Sequence, residues 1–311
     1  MRPTRLLCLF AGGFLLTAAV LAQVWLPGHV LRTPLNVDNT THLSGTAESM
    51  TFSGTQPVKV VNMTQVIPSL SSDTDVAWGS RSCVVIDAAG APACPHASDT
   101  RWTLVNASTD TYASSRTSGE GVSDKAALPT GIDPSTGLVN KFPFHAQKKD
   151  YAYWDSTLGA AATARYTGTA TLRGLTTYVY RMTIPTTTLE ISPGIEGTYR
   201  NTTTFYADPL TGALVNQVTD MSTQLTNGTT ALAMKIAFTP DQVASGVADA
   251  KRHHLQILLA LTIAPIACAL AGLAFLGTAL MLARRDRRAG LSPARKAPRA
   301  RPRLPLRGAH A

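Results

Sequence analysis

Residues 198–238 read TYRNTTTFYADPLTGALVNQVTDMSTQLTNGTTALAMKIAF, and the punctuation of this stretch decides the fold class. Thr198–Tyr206 combines Thr with aromatic residues, a composition that suits a pleated, half-wet surface. Asp208-Pro-Leu-Thr-Gly212 then sets a turn, and a second extended run follows to Thr226. Asn227-Gly228 is the strongest short hairpin signal. Beyond it the chain alternates strictly, with Leu232, Met234, Ile236 and Phe238 on one face and Ala231, Ala233, Lys235 and Ala237 on the other. The middle run alternates poorly, which predicts a bulge near Val218. Three consecutive antiparallel strands result.

Working outward, Ala161–Leu172 and Leu175–Ile184 read as a hairpin about Arg173-Gly174. Val58–Ile67, Asp75–Asp87 and Arg101–Asn106 add strands, whereas residues 107–130 are small, polar and Gly-containing and read mostly as loop. The expected fold is mainly β, an antiparallel domain over residues 27–239 that is sandwich- or barrel-like. Asp133-Pro-Ser-Thr-Gly137 repeats the turn chemistry of Asp208–Gly212. Little beyond the turn matches, so convergent turn chemistry is preferred to an internal duplication. Thr239-Pro240-Asp241-Gln242 is a helix start, with Thr as N-cap, Pro at the first position and Gln completing a capping box. That helix is expected to run from residue 240 into a membrane span at 255–283, holding the sheet domain at a defined angle above the bilayer.

Only 15% of residues are charged, and mean hydropathy is just above zero, unlike an ordinary soluble domain. Two charge-free apolar runs, Leu6–Leu26 and Leu255–Ala283, account for this. The second exceeds the roughly 20 residues that span hydrocarbon, carries Pro265 as an expected kink, and reads as an Ala-rich anchor without a specific partner. Arg284, Arg285, Arg287 and Arg288 follow it at once, which by the positive-inside rule places residues 284–311 in the cytoplasm as a basic, disordered tail. The first run, residues 6–26 after a cytoplasmic 1–5, is read as an uncleaved anchor, with a signal peptide cut after Ala22 as the alternative. Either choice exports the body of the chain from the plasma membrane.

The net charge of +9 is confined to the ends. Residues 6–283 carry two more acids than bases, so no nucleic-acid partner is expected. Cys83 and Cys94 bound a Gly/Pro turn in the exported part, where an oxidising compartment favours a disulfide. Metal binding, the competing reading, lacks a matching His or Cys pair, so no metal site is expected. No G-x-S-x-G, H-E-x-x-H or phosphate loop is present, and neither a catalytic residue nor a cofactor is expected.

The densest constellation is Lys141-Phe-Pro-Phe144 followed by Lys148-Lys149-Asp-Tyr151-Ala-Tyr153-Trp154. One reading makes Phe142, Phe144, Tyr151, Tyr153 and Trp154 a surface for acyl chains or sugar faces, with Lys148 and Lys149 attracting an anionic group. The other makes the aromatics a plug at the end of the sheet and the lysines merely solvated.

The runs Thr-Gly-Leu-Val-Asn-Lys-Phe-Pro-Phe (136–144), Lys-Lys-Asp-Tyr-Ala-Tyr-Trp-Asp (148–155), Gly-Leu-Thr-Thr-Tyr (174–178) and Asp-Pro-Leu-Thr-Gly (208–212) resemble the actinobacterial PorA family. The likeness reaches from the first helix to about residue 285. It implies an envelope protein with an extracytoplasmic β-rich domain and brings no catalytic set. Some relatives are linked to glycolipid trafficking beside a large lipid exporter, so membrane lipids and an exporter or other membrane protein are the expected partners. The family label says porin. A transmembrane barrel, however, needs strands of about 9–11 residues that turn alternate apolar side chains to lipid, and here hydrophobicity is concentrated in two helices. Non-catalytic handling of an amphipathic lipid or glycolipid is therefore the leading expectation, with an oligomeric pore second.

Overall fold

The computed structural model describes residues 3–290 apart from Ala97. The chain forms two compact units, residues 25–259 and the pair of terminal segments that flank them. The expected tail beyond residue 290 lies outside the described residues, and residues 284–290 are helical.

The larger unit is a ten-stranded antiparallel half-barrel. Its strands are β1 (Asp38–Ser49), β2 (Gln56–Val66), β3 (Asp75–Ile86), β4 (Leu104–Ser115), β5 (Tyr151–Asp155), β6 (Ala160–Leu172), β7 (Leu175–Ser192), β8 (Ile195–Ala207), β9 (Leu214–Leu225) and β10 (Thr230–Phe238). The order β4-β3-β2-β1-β10-β9-β8-β7-β6-β5 makes the first and last strands central neighbours. The two edges are β4 and β5, consecutive in sequence. Their connection, residues 116–150, must therefore cross the open side.

Four strands depart from the expected list. β5, inside the aromatic–lysine constellation, was not expected as a strand and pairs with β6. β1 pairs with both β2 and β10. Its polar Asp38–Thr41 start lacks the alternation that would mark it. β4 continues through Ser115, because its Thr-rich second half pairs residue by residue with β3, where a loop was expected. β7 runs past Pro185 to Ser192 beside β8. The bulge in β9 falls at Val215, not Val218: Asn216 opposes Tyr206 and Leu214 opposes Ala207. The extra residue frees Val215 to pack with Leu175 of β7 and with Val247 and Ala250, on the apolar stripe of the following helix.

That helix, α3 (Pro240–Leu258, after α1, Pro3–Val24, and the short α2, Pro27–Val30), starts as expected, with Thr239 Oγ1 accepting from Gln242 N–H at 3.2 Å. The Gln242 side chain does not complete a capping box. Its Oε1 accepts from the His42 N–H, while the Thr239 N–H donates to the His42 carbonyl. The helix start is thus stitched to β1.

In the other unit, α1 packs on α4 (Ala264–Gly290). Both helices are long and apolar enough to cross a membrane. They are antiparallel: Gly12 meets Gly272, and Gln23 reaches Leu261. A Cβ on Gly12 would stand 2.8 Å from Leu276, and one on Gly272 would stand 3.0 Å from the Gly12 carbonyl. Pro265, Gly272 and Ala279 of α4 and Gly12 and Ala19 of α1 are buried at seven-residue intervals, a close small-residue seam. The anchor expected to lack a specific partner has one in its own chain. Pro265 cannot donate to the carbonyl four residues back, that of Leu261. A π-helical turn, Leu259–Ile263, precedes it, and the Gln23 amide donates to the freed oxygen at 3.2 Å, the remedy a neighbouring helix supplies where water is absent.

Candidate functional site

The connection between β4 and β5 closes the open side of the half-barrel at one end. Gly121 pairs with Ser114 of β4, Glu120 with Leu138, and Leu138 with Tyr153 of β5. The Leu138 N–H donates to the Ala152 carbonyl, and the Trp154 N–H returns to the Leu138 carbonyl. Gly137 is required here, with φ +71° and a Cβ position 2.7 Å from the Ala152 oxygen.

Past this strap the chain turns inward and inserts Phe142, whose exposure is 0%. Its ring stacks on Tyr180 at 4.1 Å, meets Tyr153 at 5.5 Å, and lies edge-on to Tyr151 and Phe205. Tyr153 lies 4.4 Å from Phe205, and Tyr166 meets Tyr178 and Tyr180 edge-on. Strand alternation explains the set, since Tyr178 and Tyr180 of β7, Phe205 of β8 and Tyr151 and Tyr153 of β5 all point to the inner face. Two ties hold the segment down: the Tyr180 hydroxyl donates to the Gln147 carbonyl at 2.6 Å, and the Gln147 N–H donates to the Tyr151 hydroxyl. Burial pushes the Tyr153 and Tyr180 phenols well above the ordinary tyrosine range.

The seven residues singled out in the sequence do not form one surface. Phe142, Tyr151 and Tyr153 converge in the aromatic core. Trp154, one residue on, points the other way and packs beside Trp78, Tyr112 and Val139. Phe144 is half-buried, under the Lys141 ammonium at 3.6 Å. Lys148 and Lys149 are exposed, their ammonium groups 5.6 Å from the Tyr178 ring and 5.2 Å from the Tyr151 ring.

Sequence reasoning missed Tyr166, Tyr178, Tyr180 and Phe205. The period-2 pattern of β6, β7 and β8 carried the signal, but register was needed to bring them together. It placed Lys141 in the constellation but gave it no role; its side chain lies against Gly119, and burial lowers its amine to about 7. Beside the aromatic core, Asp155 is buried and accepts from the Tyr199 hydroxyl (2.9 Å), the Asn201 amide (3.0 Å) and the Leu158 N–H (2.8 Å). These bonds make it a satisfied structural carboxylate. Two shallow clefts, of about 170 and 320 Å³, lie away from the aromatic cluster. Cys83 and Cys94 are bridged, with Cα atoms 5.5 Å apart. No three His, Cys, Asp or Glu side chains among the described residues gather as a metal site would require.

The site is thus an aromatic core closed by one inserted ring, with cations at its rim.

A family model described as Porin PorA matches residues 5–281. No curated protein matches. Among solved structures, a DUF1329 family protein from Desulfovibrio piger ATCC 29098 is 9% identical over 75% of this chain and 91% of its own, with a TM-score of 0.19. So low a score bears on neither fold nor function.

Proposed function

The chain belongs to the porin PorA family, and from that premise we propose that it is a membrane-anchored extracytoplasmic protein that binds or hands on an amphipathic lipid or glycolipid without catalysing a reaction. The carrying observation is Phe142, a fully buried ring that fills an aromatic core from a surface segment. An acyl chain displaces it and takes up the same contacts with Tyr153, Tyr180 and Phe205, while Lys148 and Lys149 receive a polar or anionic head. In this reading residues 27–254 face outward and residue 284 onward lies in the cytoplasm. The partners are membrane lipids and an envelope lipid exporter or other membrane protein.

The pore is the second reading. Gly13 and Gly277 have open space where a side chain would stand, so the helical pair retains smooth faces for further copies. The sheet itself is a poor lipid-facing wall: Arg200, Asp220 and Lys235 form a charged row across β8, β9 and β10, opposite the aromatic face.

The test is native mass spectrometry with lipid extraction, on protein purified from its own envelope. A co-purifying lipid that Tyr153→Ala removes, with the fold intact, supports lipid handling. Empty protein that conducts ions in planar bilayers supports the pore instead. Thiol reporters test the topology: label reaching residue 295 but not residue 120 in intact cells refutes the orientation.

A further inference from the structure

The Asp208–Gly212 turn touches both α3 and the inserted segment 142–145. On one side is the carboxylate of Asp208, which has no exposed surface. Its Oδ2 accepts from the Thr211 N–H at 2.9 Å and the Thr211 hydroxyl at 2.6 Å. Its Oδ1 accepts from Nε2 of His254 at 2.7 Å. His254 lies in the last turn and a quarter of α3, with its side chain 35% exposed.

On the other side the same turn seats the plug. The Phe142 N–H donates to the Gly212 carbonyl at 2.8 Å, and the His145 N–H donates to the Leu210 carbonyl at 2.9 Å. Gly212 has φ +72°, and its missing Cβ leaves the space that the Phe142 carbonyl oxygen occupies. Asp133, at the matching place of the similar turn, is exposed. Of these two similar turns, only the Asp208 one is built around a buried carboxylate.

A buried carboxylate is costly unless every strong acceptor site is answered. Thr211 answers one oxygen from within the turn. The other depends on a side chain from a different element, and the remaining cations of that stretch are engaged elsewhere: Lys251 donates to the Arg173 carbonyl, and Arg252 pairs with Asp249.

We propose that His254 and Asp208 form a latch that couples the C-terminal part of α3 to the plug, so that residues 142–145 stay seated over the aromatic core only while His254 holds Asp208. The latch rests on the reading of Phe142 as a displaceable plug. Sliding α3 by one turn, ~5.4 Å, carries His254 out of reach of Oδ1. The stranded carboxylate then turns toward water, taking Leu210 and Gly212, and with them both backbone seats of the plug. Movement of the helix that leads to the apolar span thereby controls access to the core.

Hydrogen exchange read by mass spectrometry, on the full chain in lipid nanodiscs, tests this. His254→Ala is expected to speed exchange across residues 141–150 roughly tenfold, the weight of one hydrogen bond to a charged group, with the β8–β9 amides unchanged as the internal reference. Asp208→Asn gives a comparable rise, and the double variant exceeds the larger single one by less than twofold. His254→Gln, which keeps an amide donor, falls between wild type and alanine. The latch is overturned if His254→Ala leaves residues 141–150 at the wild-type rate. It is equally overturned if both His254 variants speed that segment only in step with β8–β9. Lipid extracted from the same samples separates the two ideas. Retained lipid with unchanged exchange removes only the latch, and coupled exchange in a protein that never carries lipid removes only the ligand reading.

Discussion

Replacing Phe142 with alanine separates a core residue from a ligand stand-in. The ring is fully buried and in contact with four other aromatic rings. Truncating a buried Phe costs about 3–5 kcal/mol, combining lost transfer free energy with the cavity left behind. The stack on Tyr180 and the two edge-on pairs place Phe142→Ala toward the upper end, since each such pair adds ~1 kcal/mol beyond area. For a unit the size of residues 25–259, each kcal/mol moves Tm by about 2–4 °C, so a drop of roughly 10–15 °C is expected in delipidated protein. The vacated space is apolar and stays dry, as such cavities do. Adding an envelope lipid extract should then restore more than half of the loss in the variant, and shift the wild type far less. Differential scanning fluorimetry with and without extract reads both numbers. A full loss of Tm that no lipid restores refutes the stand-in reasoning and leaves Phe142 as ordinary core. A loss below ~1 kcal/mol refutes the packing itself.

Lys141→Met tests the buried amine. Its amine, lowered to about 7 by burial, makes the unfolded chain bind more protons between pH 7 and 10.5, so native stability rises across that window; the methionine variant should gain most in Tm at pH 6 and least above pH 10. Burial also raises the phenols of Tyr112, Tyr153, Tyr180 and Tyr199. These four should stay un-ionised at pH 11, by ultraviolet difference absorbance, until the protein unfolds, and stability should fall as pH rises past 10. Non-reducing peptide mapping should recover Cys83 joined to Cys94, and serine at both positions should cost about 3 kcal/mol in denaturant melts.

The hairpins at Arg173-Gly174 and Asn227-Gly228 were legible because a tight turn leaves its chemistry in the chain: Arg173 and Gly174 both adopt positive φ, as a two-residue I′ turn demands, whereas residues 226–228 close as a three-residue loop in which Gly228 takes the positive φ. The apolar helices were legible from length alone. Other features depend on partners far away in sequence. Thr109–Ser115 looks like loop until β3 lies beside it, since Thr and Ser become strand residues only when a ladder satisfies their backbone. Val215 bulges because α3 offers it a pocket, and nothing in residues 214–225 announces that helix. The same holds at the site. The 141–154 cluster stood out by composition, yet alternation in β5 sends Tyr153 and Trp154 to opposite faces. Tyr180 and Phe205 join the cluster only through the pairing of β7 with β8.

The seam between α1 and α4 sets a timetable for biogenesis. Gly12 and Gly272 are 260 positions apart, and at ~5–20 residues per second about 13–52 s of synthesis separate them. In the proposed topology, α1 waits in the bilayer through that interval with an unmatched small-residue face, while the half-barrel is threaded across. Leu261, whose carbonyl the Gln23 amide will meet, has not yet been made. In that topology α1 acts as a waiting template, and integration is complete only when α4 arrives to claim it. A ribosome stalled before residue 261 should leave α1 as accessible to competing small-residue helices as any unpaired span.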